Sequence, residues 1–194
     1  MAISQDLDPD QALCLLEHSL GVHITIHDLT GVFQRQGQQV LTLKRRCHQH
    51  QLCKLPGPSR HGCMDHCYNA VHRELLRQGG PGCHHCWRGA CEITVPLFIN
   101  GSHVASIFAG PWRSGELPPP KLPKRHHHLW HELPPFPQAE ATRIAGLLGM
   151  LGHGLLRSCE SQITKGDEPR RHLIDEWLQA HCRRQWACSH SSIR

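Results

Sequence analysis

Cysteine and histidine dominate the chemistry that this sequence offers, with 11 of the first and 19 of the second in 194 residues. Seven of the cysteines fall between positions 47 and 91: Cys47, Cys53, Cys63, Cys67, Cys83, Cys86 and Cys91. Cys63-x-x-x-Cys67 puts two thiols at i and i+4, on one face of a helix, and Cys83-x-x-Cys86 brings two more into a tight turn where both sulfurs converge. Four thiolates so arranged can hold one ion. Zinc takes four tetrahedral sulfur or nitrogen ligands at about 2.0–2.3 Å and an iron–sulfur cluster takes four thiolates, so spacing leaves both open. Cys53 and the interspersed His61, His66, His84 and His85 are further candidates. Two other readings stand beside this one. Cysteines are often small buried hydrophobes, and a thiol beside histidines can have a lowered pKa and serve as a redox switch, with Cys83 and Cys86 cycling to a disulfide.

Trp87, Phe98, Phe108 and Trp112 are candidates for an apolar ligand pocket, with ordinary core packing as the alternative. His126-His127-His128 sits in a proline-flanked stretch without the supporting contacts that fix good metal ligands, so no native site is expected there. There is no G-x-S-x-G, P-loop, G-x-G-x-x-G or H-E-x-x-H, and no Ser, His and Asp set at recognisable spacing. Nothing supports an enzyme.

The elements that must position these residues follow from periodicity. Asp8 to Leu20 carries a near-helical apolar stripe closed by Gly21. Val22 to His27 alternates with period two, Asp28 to Gly31 supplies turn chemistry, and a second alternation around Val40 to Leu43 predicts a hairpin with one buried face. Cys63 to Gln78 reads as a helix ending at Gly79-Gly80-Pro81. Glu92–Ile99 and His103–Gly110 read as two strands joined by Asn100-Gly101, the strongest short-range hairpin signal in the chain. Arg113 to Pro137, with its prolines and its run Lys124 to His128, reads as a long surface loop. Gln138 to Ser161 is a glycine-rich helix that must rely on packing against the sheet, and Arg170 to His181 is a short final helix.

Hydrophobic residues make up 39% of the chain, which fits a globular domain of ordinary size. No stretch has the roughly 18–20 apolar residues of a spanning helix, and the acidic start lacks the features of an export signal. A cytoplasmic protein is therefore expected, whose thiols face reducing conditions. The net charge of +5 sits in short runs such as Lys44-Arg45-Arg46, more typical of solvated faces than of phosphate grips.

Several segments together resemble the PocR sensory domain. They are Leu52-Cys53 through Gly62-Cys63, Cys86-Trp87-Arg88-Gly89, the run Thr94 to Gly110, the opening Ile24 to Gly31, and Leu133-Pro134 with the helix after it. The resemblance implies an α+β, PAS-like antiparallel sheet flanked by helices, with a short C-terminal helical extension, and a sensor of small organic molecules rather than a catalyst. It also implies that Cys53, Cys63 and Cys86 are the family's recurrent cysteines; Cys67 and Cys83 are additions to that pattern, and the i, i+4 spacing, not the resemblance, offers Cys67 as the fourth ligand of a zinc or iron–sulfur site. The chain departs from the pattern at Trp87, where the family often has His, and at Gly110-Pro111-Trp112, where it often has Gly-Gln. The sensory domain is expected over residues 8–160. Residues 168–194 resemble the start of an AraC-type helix-turn-helix domain, through Arg170 to Trp177-Leu178, with no recognition helix following. The expected function is ligand sensing for a transcriptional regulator, with a cysteine-based metal or redox sensor as the alternative. DNA would be reached only through a separate helix-turn-helix, and a homodimer is an open expectation.

Overall fold

The computed structural model describes residues 9–35, 38–39, 41–55, 65–120 and 122–160. Helix α1 (Pro9–Leu20) stops at Gly21, whose φ of +65° suits a residue without a Cβ. Strand β1 (His23–Asp28) follows, as the alternation requires. Asp28 then organises the turn. Its Oδ1 accepts the N–H groups of Gly31 at 2.8 Å and Val32 at 3.0 Å, and its Oδ2 accepts that of Phe33 at 3.1 Å.

Among the described residues, the hairpin expected between β1 and residues 40–43 does not form; position 40 itself lies outside them. The described residues make a two-residue ribbon, β2 (Gln34–Arg35) on β3 (Gln38–Gln39), and Leu43 opens the short helix α2 (Leu43–Arg46). Residues so polar have no apolar face to bury, and β1 pairs instead over six residues with the last strand of the sheet. Helix α3 (Gln51–Lys54) follows, capped by His50, whose Nδ1 accepts the N–H of Leu52 at 3.1 Å. A π-helical segment (Asp65–Val71) then runs into α4 (His72–Gln78), which ends where foreseen, at Gly79 in the left-handed region. Position 63, the expected start of that helix, lies outside the described residues.

Strands β4 (Gly82–His85), β5 (Cys91–Ile99) and β6 (Ser102–Trp112) complete an antiparallel sheet in the order β1-β6-β5-β4. Asn100 at φ +49° and Gly101 at φ +79° make the tight β5–β6 connection. At the tight turn expected for Cys83–Cys86, Cys83 lies within strand β4 and Cys86 follows its last residue.

The segment expected as a surface loop, residues 113–137, is partly structured. A 3₁₀ turn (Lys124–His126) leads into α5 (His127–His131). Leu122, Leu129, Trp130 and Leu133 bury themselves with Leu52 and Ala90, and the Trp130 indole N–H donates to the Gly115 carbonyl at 3.2 Å. Prolines bar a long helix or a central strand, but the large side chains between them still bury.

Helix α6 (Ala141–Glu160) packs across β5 and β6, and Gly152 sets how closely. A Cβ there would stand 2.6 Å from both Leu97 Cδ2 and Ile107 Cδ1. One face of the sheet, with Ile24, Ile26, Ile93, Val95, Leu97, Ala105, Ile107 and Ala109, forms the main core with α6 and Leu13 of α1. The architecture is α+β and PAS-like, as expected.

Candidate functional site

Period-two geometry sends the alternate residues of the same strands to the other face. There the register aligns Thr25, Phe108 and Thr94 across β1, β6 and β5, His27 beside Ser106, and His84 of β4 opposite Glu92 of β5. This face is polar yet buried. Thr25, His27, Glu92, Thr94 and Ser106 are each at most 4% exposed. The cover is the chain after α2, which brings His48, together with the π-helical segment and α4, which bring His66, Cys67, Val71, His72 and Leu75.

Phe108 stands at the centre, its ring 4.4 Å from His27, 5.6 Å from His48, 5.8 Å from His72 and 6.1 Å from His84. Glu92 is the one carboxylate among the buried residues described here. Its Oε1 lies 3.0 Å from His48 Nδ1 and its Oε2 3.1 Å from His84 Nε2. Burial alone would raise the Glu92 carboxyl, but the facing His48 and His84 outweigh it and hold the group below the usual carboxylate range. Burial works the other way on the imidazoles. It lowers His72 to about 4, aided by His103 and His84, and it lowers His27, aided by His48 and His72. His66 is lowered by burial and by His84, and His103 by burial. At neutral pH these four are therefore neutral imidazoles, able to donate at one nitrogen and accept or ligate at the other.

Glu92 owes its position to an irregular backbone. Cys91 pairs with Trp112 and Ile93 with Ala109, so Gly110-Pro111 forms a bulge opposite Glu92. A Cβ on Gly110 would lie 2.9 Å from Glu92 Cγ and 3.0 Å from the Cys91 carbonyl oxygen. Only glycine lets the strand pass this close to the carboxylate side chain.

Beside the polar layer, between α4 and the sheet, opens a cleft of about 190 Å³ lined by His66, Ala70, Val71, Leu75, His84 and Thr94, among others. His66 Nε2 and His84 Nδ1 are buried and have no hydrogen-bond partner among the described residues. Such an atom costs about 1–3 kcal/mol until something pairs with it.

The residues singled out from sequence are scattered by the fold. Of the four proposed thiol ligands, Cys67 is buried in the polar layer against Phe108. Cys53 is half-buried on α3, Cys86 packs against the cluster around Trp130, and Cys63 lies outside the described residues. The aromatic set does not line one wall. Phe108 is central to the polar face, whereas Trp112 is buried on the helix side, 5.9 Å from Phe136. Half-buried Phe98 lies 5.4 Å from His103, and Trp87 carries the Arg88 guanidinium 4.8 Å above its ring. Burial pushes the Cys83 and Cys91 thiols up, which disfavours the reactive thiolate.

Sequence reasoning missed His27, His48, His72 and Glu92. The available signal was Glu92 itself, a carboxylate opening a strand that is otherwise apolar or β-branched. A charge is expensive there only if both sheet faces are covered, and strand periodicity does not say whether they are.

Residues 16–149, more than half of the chain, match the family model described as a sensory domain found in PocR. No curated protein and no solved structure matches.

Proposed function

The chain belongs to the family of PocR sensory domains, and from that premise we propose that it reads a small organic molecule bound in the cleft between α4 and the sheet. The observation that carries this reading is a pair of imidazole nitrogens, His66 Nε2 and His84 Nδ1, without a hydrogen-bond partner among the described residues, on two side chains that line a cleft of about 190 Å³. A cavity of about 150 Å³ accommodates a benzene-sized molecule, so the ligand has roughly six to ten heavy atoms. It carries a group that hydrogen-bonds imidazole, and an apolar side that meets Val71 and Leu75.

A ligand biases conformation only through differential affinity. The sheet couples the two sides of the domain, since β5 and β6 present Thr94 and Phe108 to the polar layer and Leu97 and Ile107 to Gly152 of α6. Ligand-dependent movement of these strands would pass to α6 and on to whatever follows it. In this reading the sensory domain spans residues 8–160, works in the cytoplasm and serves a transcriptional regulator. Residues 170–178, outside the described residues, supply the AraC-type resemblance to a DNA-binding output. Among the described residues no helix is long and apolar enough to cross a membrane.

The test is thermal denaturation against a panel of alcohols, amines and carboxylates of that size. A true ligand at a hundredfold excess over its Kd stabilises by about 2.7 kcal/mol. Ala70→Trp, which fills the cleft from an exposed position, should abolish the shift. A panel without effect, or a shift that survives Ala70→Trp, overturns the reading.

A further inference from the structure

We propose that His48, Cys67 and Glu92 bind one divalent transition metal of the zinc class, with a fourth position open to an exogenous donor. One ligand atom from each residue lies within 4.8 Å of the other two. Tetrahedral zinc with bonds of about 2.0–2.3 Å places its ligand atoms about 3.3–3.8 Å apart, so side-chain rotation of about 1 Å closes the set. His48 Nδ1 and Glu92 Oε1 stand 3.0 Å apart, slightly closer than that spacing.

The three come from separate elements: the chain after α2, the π-helical segment and β5 at its bulge. π-Helical turns and bulges recur at functional sites because they re-aim single side chains. Here one irregularity carries Cys67 and the other aims Glu92. Cys67 is 2% exposed and Glu92 1%. A buried carboxylate is costly unless it is paired or coordinates a metal. The donor set of one sulfur, one imidazole nitrogen and one carboxylate oxygen is wrong for magnesium or calcium, which take oxygen, and suits zinc, cobalt or nickel. His84 Nε2, 3.1 Å from the second carboxylate oxygen, is placed to orient the Glu92 ligand without itself meeting the ion. Binding forms a sulfur–metal bond as the Cys67 thiol releases its proton to solvent, so affinity rises with pH. The set shares only Cys67 with the four-cysteine site expected from sequence, and it does not depend on which organic molecule the cleft takes.

The experiment is titration of the reduced, metal-free full chain with cobalt(II) alone, followed by absorption. One ion per chain is expected, with a sulfur-to-cobalt charge-transfer band that Cys67→Ser abolishes and Cys53→Ala retains. His84→Ala should keep the band and weaken binding about 10- to 100-fold. Circular dichroism checks folding, and His48→Gln, also expected to lose tight binding, replaces Cys67→Ser if that variant does not fold. Absence of cobalt binding overturns the proposal, leaving the histidines and Glu92 as an ion-paired network. So does a band that survives Cys67→Ser or is lost in Cys53→Ala, which would move the ion to the other thiols. Because no organic ligand is present, failure here is distinguishable from failure of the sensing reading.

Discussion

A single basic residue shows how far burial can depart from a local pattern. Lys44-Arg45-Arg46 reads as a solvated run, and Lys44 and Arg46 are exposed, but Arg45 is only 5% exposed. Its guanidinium meets Glu17 Oε1 at 2.5 Å and donates to Cys14 Sγ at 2.9 Å, while the same Glu17 oxygen accepts the Ile24 N–H at 2.7 Å. The side chain thus ties α2 to α1 and β1. Removing one partner of a buried ion pair strands the other charge. Arg45→Ala should therefore destabilise by about 3 kcal/mol, the low end of that range, because Glu17 keeps some contact with water. A urea midpoint unchanged in Arg45→Ala would show that the tie contributes nothing. The same logic applies to Glu92: its residue type is plain in the sequence, but its cost and its partners are not.

At the scale of the element, α6 offers an internal comparison. Its glycines look alike in sequence, and each costs up to about 1 kcal/mol relative to alanine in an exposed helix. The fold separates them. A Cβ on Gly146 or Gly154 meets nothing within 4 Å, whereas one on Gly152 would stand 2.6 Å from Leu97 and Ile107. Gly146→Ala should raise stability by about 0.5–1 kcal/mol, and Gly152→Ala should lower it by about 1–3 kcal/mol through overpacking. Thermal melts of the two variants check this, and equal shifts would contradict the close approach of α6 to the sheet. If α6 transmits the ligand signal, Gly152→Ala should also weaken ligand-induced changes beyond residue 160.

For the whole molecule, the buried imidazole layer sets the response to acid. His72 is held at about 4 in the folded state, against about 6.5 when unfolded. Between those values the unfolded chain binds a proton that the folded one does not, so stability is full above pH 6.5 and falls as pH drops toward 4. The loss from His72 is on the order of 3 kcal/mol. His27, lowered in the same sense, adds to it, and the depressed Glu92 withdraws further stability below its ordinary range near 4.5. Among the described residues, the titratable groups that face His72 include His27, His84 and His103. Urea midpoints measured at pH 7 and pH 5 should fall with acidification in the parent and fall less in His72→Phe. Equal slopes would remove His72 from the account.

What the sequence alone determined is local. The Asn100-Gly101 hairpin, the glycine stops after α1 and α4, the amphipathic α6 and the α+β class all follow from φ preferences and periodicity over a few residues. The sequence also carried enough of the family's pattern to identify a sensory domain. Tertiary structure alone decided that β1 pairs with β6 rather than with its neighbour. It also turned residues 113–137 into a second small core, and it roofed the polar face of the sheet. Period two says which residues share a face, but not whether that face meets solvent or another layer. That choice depends on contacts between segments far apart in the chain, and it is the covering by the chain around His48 and by residues 65–72 that brings His48, Cys67 and Glu92 together.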